Sequence, residues 1–295
     1  IPVHVGNLRV KLALESTIKQ AYQQTMRPSD VAFLGQQVSR VLPPHPDLAR
    51  GEECRLCRTD QGVDLFRYAK GGAVYRVLPS KYPNFPNNIV VLRLQPWAQR
   101  LTRESIKAHF SFTIDAGSQA YGYFQTPGTG ASLPHHHVQY GSRGIPEMDW
   151  SPQPSEENPF PIWDNIAEET VQLDQEMVYG NVAVRHLSGW YAEVIMLDGE
   201  RDETAELTWK FVEAIERSTG LYNVAWYFDD SRRRIHVLIF PVRLTDGPQV
   251  GFLERAGRFP LRDASQFEAI RADPIATAQA EIVKVRATSW SEADT

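Results

Sequence analysis

The sequence predicts an α+β fold made of two similar halves, on three observations. An order of strand, strand, helix, strand, strand reads from residues 73 to 140 and again from 182 to 242. Corresponding places are similarly spaced, with 46 residues from Val91 to His137 and 41 from Ile195 to His236. Between the copies, residues 143 to 165 hold Pro146, Pro152, Pro154, Pro159 and Pro161 with several acidic residues, the composition of a linker or lid. The expected division is a catalytic half at 1–142, a linker at 143–165 and a second half at 166–295. A chain of 295 residues is long enough for one large or two medium cores.

The elements follow in order. Val10, Leu14, Ile18 and Tyr22 are spaced as one face of a helix over residues 10 to 26. Ser29 and Asp30 offer an N-cap for a second helix through Val31, Leu34, Val38 and Leu42, which Pro43 and Pro44 stop. Phe66 to Leu78 reads as a hairpin with Gly71-Gly72 at its turn. The loop Ser80 to Asn87 leads into an apolar strand at Ile89 to Leu92. A helix is expected from Thr102 to about Ser118, and a strand from Ala120 to Phe124. In the second half, strands are expected at Val182 to His186 and Tyr191 to Leu197, then a helix at Asp202 to Thr219 with Gly220 as its stop. Asn223 to Phe228 and Arg234 to Val242 alternate as two more strands. A helical region from Asp263 to about Ala287 is interrupted by Pro274.

Composition narrows the class. Hydrophobic residues make up 42% and charged residues 23%, as in ordinary soluble globular proteins. A net charge of −5 and a pI near 5.9 argue against broad binding to nucleic acid, while leaving room for a local phosphate pocket. No apolar run is long enough to span a bilayer. Two cysteines do not make a disulfide scaffold.

Chemistry concentrates in Gly130-Ala131-Ser132-Leu133-Pro134-His135-His136-His137-Val138-Gln139. Small residues at Gly130 and Ser132 let backbone amides approach an anion closely. If residues 135 to 140 are extended, His135, His137 and Gln139 share one face and His136 and Val138 the other. A neutral imidazole attacks phosphorus without a separate base, which makes His137 the candidate nucleophile. Gln139 can donate its amide to a phosphoryl oxygen as charge shifts in the transition state. Three adjacent histidines equally suit a metal-binding tract. Cys54 and Cys57 form a pair able to chelate one zinc ion, although a structural site needs four ligands.

This stretch resembles the active-site strand of the galactose-1-phosphate uridylyltransferase branch of the histidine-triad superfamily, whose pattern is Gly-x-Ser-x-Pro-His-x-His-x-Gln. Gly130, Ser132, Pro134, His135, His137 and Gln139 match it. The resemblance implies two tandem histidine-triad-like units with antiparallel sheets and packed helices. It implies that His137 forms a covalent nucleotidyl intermediate while Gln139 supports the phosphoryl group, with His135 beside them. It implies nucleotide contacts from the loop holding Lys81, Tyr82 and Asn84, with Gln125 standing in for a phosphate-contacting asparagine. Zinc held by Cys54, Cys57 and His135 is implied too, although the family's further histidine aligns with Ala98; His109 lies nearby. The second copy has His236 in the pattern's place but lacks the first histidine and the glutamine, so it is expected to be silent, with His236 a buried, hydrogen-bonded core residue.

The expected activity is nucleotidyl transfer from a nucleotide sugar to a sugar phosphate. The pattern also resembles the dinucleoside polyphosphate phosphorylases, whose acceptor is inorganic phosphate. A non-catalytic protein that binds nucleotide or metal through the same fold is the third reading. A cytoplasmic homodimer is expected.

Overall fold

A computed structural model describes residues 2–14, 65–80, 88–95, 97–117, 120–131, 135–142, 160–218, 220–243, 250–261, 269 and 272–287. The strands are β1 Pro2–Val5, β2 Leu8–Leu14, β3 Phe66–Lys70, β4 Ala73–Pro79, β5 Ile89–Arg93, β6 Ala120–Gln125 and β7 His137–Ser142. They continue as β8 Gln172–Tyr179, β9 Val182–Ser188, β10 Ile195–Gly199, β11 Leu221–Asp229, β12 Arg234–Val242 and β13 Arg258–Leu261. The helices are α1 Arg103–Ala116, α2 Pro161–Ala167, α3 Arg201–Ser218, α4 Phe252–Arg255 and α5 Pro274–Ala287.

Among the described residues, ten strands form one sheet in the order β3-β4-β5-β7-β6-β11-β12-β10-β9-β8, antiparallel at every pairing. Counted outward from the β6/β11 joint, each side repeats the other: β7, β5, β4, β3 against β12, β10, β9, β8. The two copies therefore join edge to edge into one α+β sheet. At the joint Gln125 pairs with Asn223 and Gly122 with Trp226.

One sheet face packs on α1 and α3, enclosing Tyr75, Val91, Phe110, Val138, Tyr140, Trp226 and Val237 among others. Thr102 caps α1 through a reciprocal bond pair with Ser105, and Gly117 ends it at φ 86°. Helix α3 buries Thr204, Leu207, Thr208, Val212 and Ile215, one stripe at helical spacing. Gly122 has to be glycine: a Cβ there would lie 2.6 Å from the Trp226 ring, whose Nε1 donates to Thr113 at 2.8 Å. The opposite face is covered by α2, α4, α5 and β1, and encloses Tyr121, Tyr123, Phe160, Trp163, Leu238, Phe240 and Phe252.

Several local expectations change. Leu8–Leu14 is a strand, not the start of a helix: Val10, Leu12 and Leu14 also alternate, and pairing with β1 and β13 decides between the periods. The rest of that helix and the one through Leu42 fall outside the described residues. Residues 161–165, expected as linker, belong to α2, whose Pro161 sits in the first turn and whose Ile162 and Trp163 are buried. The strand expected from Tyr191 begins at Ile195; Tyr191 instead donates its hydroxyl to the Glu254 carbonyl at 2.7 Å. Pro274 breaks the helical region as expected: Ala269 and Ala272 are helical, Asp273 is not, and α5 starts afresh at Pro274 with Asp273 accepting from the Ala276 amide. Strand β8 lies in a stretch left unassigned by its sequence pattern.

Candidate active site

Strand β7 carries the histidine pattern into the middle of the first half, between β5 and β6. Leu92 pairs with His137 on one side and Tyr123 with Gln139 on the other. The alternation holds: His136, Val138 and Tyr140 are buried on the face covered by α1, and Gln139 meets Tyr123 on the opposite face. His137 falls on that second face with Gln139.

His137 is 9% exposed, and its Nδ1 lies 2.7 Å from the carbonyl of His135. A carbonyl only accepts, so Nδ1 carries the proton and Nε2 keeps its lone pair. Burial holds the ring down to about 4, overriding the carbonyl bond that raises it, and His135 lowers it further. At neutral pH the ring is neutral, with a defined tautomer and an Nε2 competent to attack. The Tyr123 hydroxyl donates to Gln139 Oε1 at 2.6 Å, which makes Nε2 the donor end of that amide.

The glycine loop folds back after β6. Gly128 and Gly130 have φ of 88° and 121°. A Cβ on Gly130 would lie 2.2 Å from Gln125 Nε2 and 3.2 Å from Gly251 Cα. Gln125, expected to face a nucleotide, donates its amide to the Thr129 carbonyl at 3.2 Å, and Thr129 donates to Asn223 Oδ1 at 2.6 Å. The second half thus anchors the loop of the first through Asn223.

Beneath β7, on the α1 face, lies a buried polar chain. His136 Nδ1 donates to the Arg100 carbonyl at 2.8 Å, so its Nε2 is an acceptor. His109 Nε2 is 3.1 Å from it and must be the donor, which turns His109 Nδ1 into an acceptor 3.1 Å from the Tyr140 hydroxyl. Burial pushes His136 down to about 3, against the Arg100 carbonyl bond, and holds His109 well below its ordinary value with His136 adding to it. His109 is thus a packing partner of β7.

His135 is fully buried, its Nε2 is 2.8 Å from the Arg93 carbonyl, and its backbone bridges to Ala98. The position aligned with the family's zinc histidine thus does lie across from His135, but alanine supplies no ligand atom. The described residues do not complete a zinc site: no three of their His, Cys, Asp or Glu side chains are grouped to hold a metal. Cys54, Cys57, Lys81, Tyr82, Asn84 and Ser132 lie outside the described residues.

In the second half His236 faces Asp198 across β10, as His137 faces Leu92 across β5. It is buried as expected but not hydrogen-bonded: its ring nitrogens are 3.8 and 3.9 Å from Asp198 and Asp229 and have no hydrogen-bond partner. Arg234 is ion-paired with Asp198 at 2.5 Å. Arg185 also pairs with Asp198, and Arg232 with Asp229, so both carboxylates beside His236 are engaged by arginines.

Two residues of the first site escape sequence reasoning. Tyr123 is recognisable only once β6 is registered against β7. Gln99, 2% exposed, accepts from the His137 amide at 2.7 Å and donates to the carbonyls of Gln125 and His137 at 2.9 and 3.0 Å. It sits in an irregular segment with no periodicity to mark it.

No family model and no curated protein matches this sequence. Among solved structures the chain is similar to the crystal structure of yeast Ap4A phosphorylase Apa2, at 14% identity and a TM-score of 0.55 over 84% of this chain and 82% of that one. It is similar to the same enzyme in complex with Ap4A, at 15% identity and a TM-score of 0.55 over 94% of this chain and all of that one. At such identity the likeness speaks to architecture alone: this chain has the fold of the yeast Ap4A phosphorylase.

Proposed function

We propose that the protein is a nucleotidyltransferase of the dinucleoside polyphosphate phosphorylase type, working through a covalent intermediate on His137. The observation that carries this reading is the neutral His137 ring, with Nδ1–H held by the His135 carbonyl and Nε2 left as the nucleophile. The fold it shares with an enzyme crystallised with Ap4A supports that donor class over others.

In the first half-reaction Nε2 forms a bond to the α-phosphorus of the donor. The bond from that phosphorus to the bridging oxygen breaks, and the leaving polyphosphate takes the electron pair. Gln139 donates its amide to a phosphoryl oxygen, and the glycine loop presents backbone amides to the phosphates. An oxygen of inorganic phosphate then attacks the same phosphorus and releases Nε2. With Ap4A the products are ATP and ADP. One histidine serves both steps, so the kinetics are ping-pong.

Ap4A labelled at its α-phosphorus, incubated without phosphate, should leave acid-labile label on the wild-type protein and none on His137→Ala. A His137→Ala variant that turns over at the wild-type rate would sink the covalent mechanism. A second reading, with a UDP-sugar as donor and a sugar phosphate as acceptor, is favoured by the full match of Gly130, Ser132, Pro134, His135, His137 and Gln139 to the uridylyltransferase pattern. Label transferred from a UDP-sugar and not from Ap4A would select it.

A further inference from the structure

We infer that Gln99 is a positioning residue for the nucleophile, replacing with its side chain the rung that β6 and β7 do not make at His137. This rests on the covalent role of His137 proposed above. The β6/β7 ladder closes at Tyr123 and Gln139; two residues further, Gln125 and His137 are next in line. There the Gln99 amide stands between the strands. Its Nε2 donates one hydrogen to the Gln125 carbonyl and the other to the His137 carbonyl, while Oε1 accepts the His137 amide proton. Both polar ends of His137's backbone are therefore fixed by one buried side chain, with both amide hydrogens and the oxygen in use.

The neighbours of Gln99 grip the same stretch through the backbone. Trp97 O accepts from the His136 amide at 2.7 Å, Ala98 bridges to His135, and Arg100 O accepts from the His136 ring. Each of the three histidines is thus held by residues 97–100, and Gln99 alone does so with a side chain. The consequence reaches the reacting atom because His137 Nδ1 is bonded to the carbonyl two residues back. Imidazole direction follows the peptide geometry from His135 to His137, and Gln99 sets the far end of it. A buried neighbour in ordinary packing would contribute to folding alone. This one sets the aim of Nε2, and a displacement of about 1 Å at a reacting atom can lower a rate by roughly 10²-fold.

Gln99→Met keeps the length and removes all three bonds. We expect its labelling rate at saturating Ap4A to fall about 10- to 100-fold, per folded molecule measured by circular dichroism, with Ap4A affinity within about twofold of wild type. Gln99→Glu is the complementary variant. Ionised, it sets a carboxylate against two carbonyl oxygens; protonated, it regains one donor and the acceptor, so its labelling rate should rise from pH 8 to 6 while the wild-type rate stays level. A Gln99→Met protein that labels at the wild-type rate, or that loses affinity and not rate, overturns the inference. Nitrogen-15 NMR of histidine-labelled protein supplies a readout independent of turnover: the wild type should show His137 protonated at Nδ1, and Gln99→Met a mixture of tautomers. If neither Ap4A nor a UDP-sugar labels the wild type, the proposed function falls, and NMR alone judges Gln99. An unchanged His137 spectrum in Gln99→Met would then overturn its positioning role.

Discussion

Lowering the pH from 7 to 5 should remove about 4 kcal/mol of folding stability through His136 and His137, with His109 adding to the loss, because all three are folded as neutral rings. Each has a folded-state value depressed below the roughly 6.5 of the unfolded chain. In the window between those values the unfolded state binds more protons, so stability falls as pH falls. At pH 5 the unfolded chain holds nearly one proton per histidine. The folded chain holds about a hundredth of one on His136 and about a tenth of one on His137, which titrate at about 3 and about 4, and His109, held well below its ordinary value by burial, acts in the same direction. Each proton difference is worth about 1.4 kcal/mol per pH unit, so His136 and His137 together give a local slope at pH 5 of about 2.5 kcal/mol per unit. Integrated from pH 7, His136 and His137 contribute about 2 kcal/mol each. His236, lowered by burial against the pull of Asp198 and Asp229, acts in the same direction. Glu216, raised by burial against Arg100, acts in the opposite one, since its folded form takes up a proton early. The loss is comparable with the whole stability of many domains, about 5–15 kcal/mol. Urea unfolding followed by tryptophan fluorescence at pH 7, 6 and 5 measures it. A change below about 2 kcal/mol would mean that the buried histidines accept protons without unfolding, and would refute the neutral hydrogen-bond chain from Arg100 to Tyr140.

On the proposed mechanism Gln139→Ala removes a donor to the phosphoryl group and should slow labelling from Ap4A by roughly 10²–10³-fold. Tyr123→Phe leaves that amide in place without the hydroxyl at its oxygen. It should lower the labelling rate less than Gln139→Ala does and cost about 1 kcal/mol in urea unfolding. Gly122→Ala forces a methyl group into the Trp226 ring and should destabilise the fold by roughly 1–3 kcal/mol, read as a lower urea midpoint; an unchanged midpoint would show that the joint between the halves can shift. Gly130→Ala, strained at φ 121° and directed into Gln125, should weaken Ap4A binding by displacing the glycine loop, as isothermal titration would show.

What the sequence by itself determined is local. The hairpin about Gly71-Gly72, the helix capped at Thr102, the helix closed by Gly220 and the strands β11 and β12 are each specified by neighbours within a few residues. The same alternation put His137 and Gln139 on one face of β7 and His136 on the other, so the division of the histidines between the two faces was legible before any packing was known. Val10 to Leu14 fits both periods, and there the partner strands made the choice. Tertiary structure alone decided which residues meet across long separations: Tyr123 with Gln139, Thr129 with Asn223, His109 with His136, and Gln99 with the backbone of His137. These contacts depend on strand register and on the path of an irregular segment, which are set when the two halves close into one sheet. Spacing along the chain encodes the face of a residue, but only the completed packing encodes its neighbour.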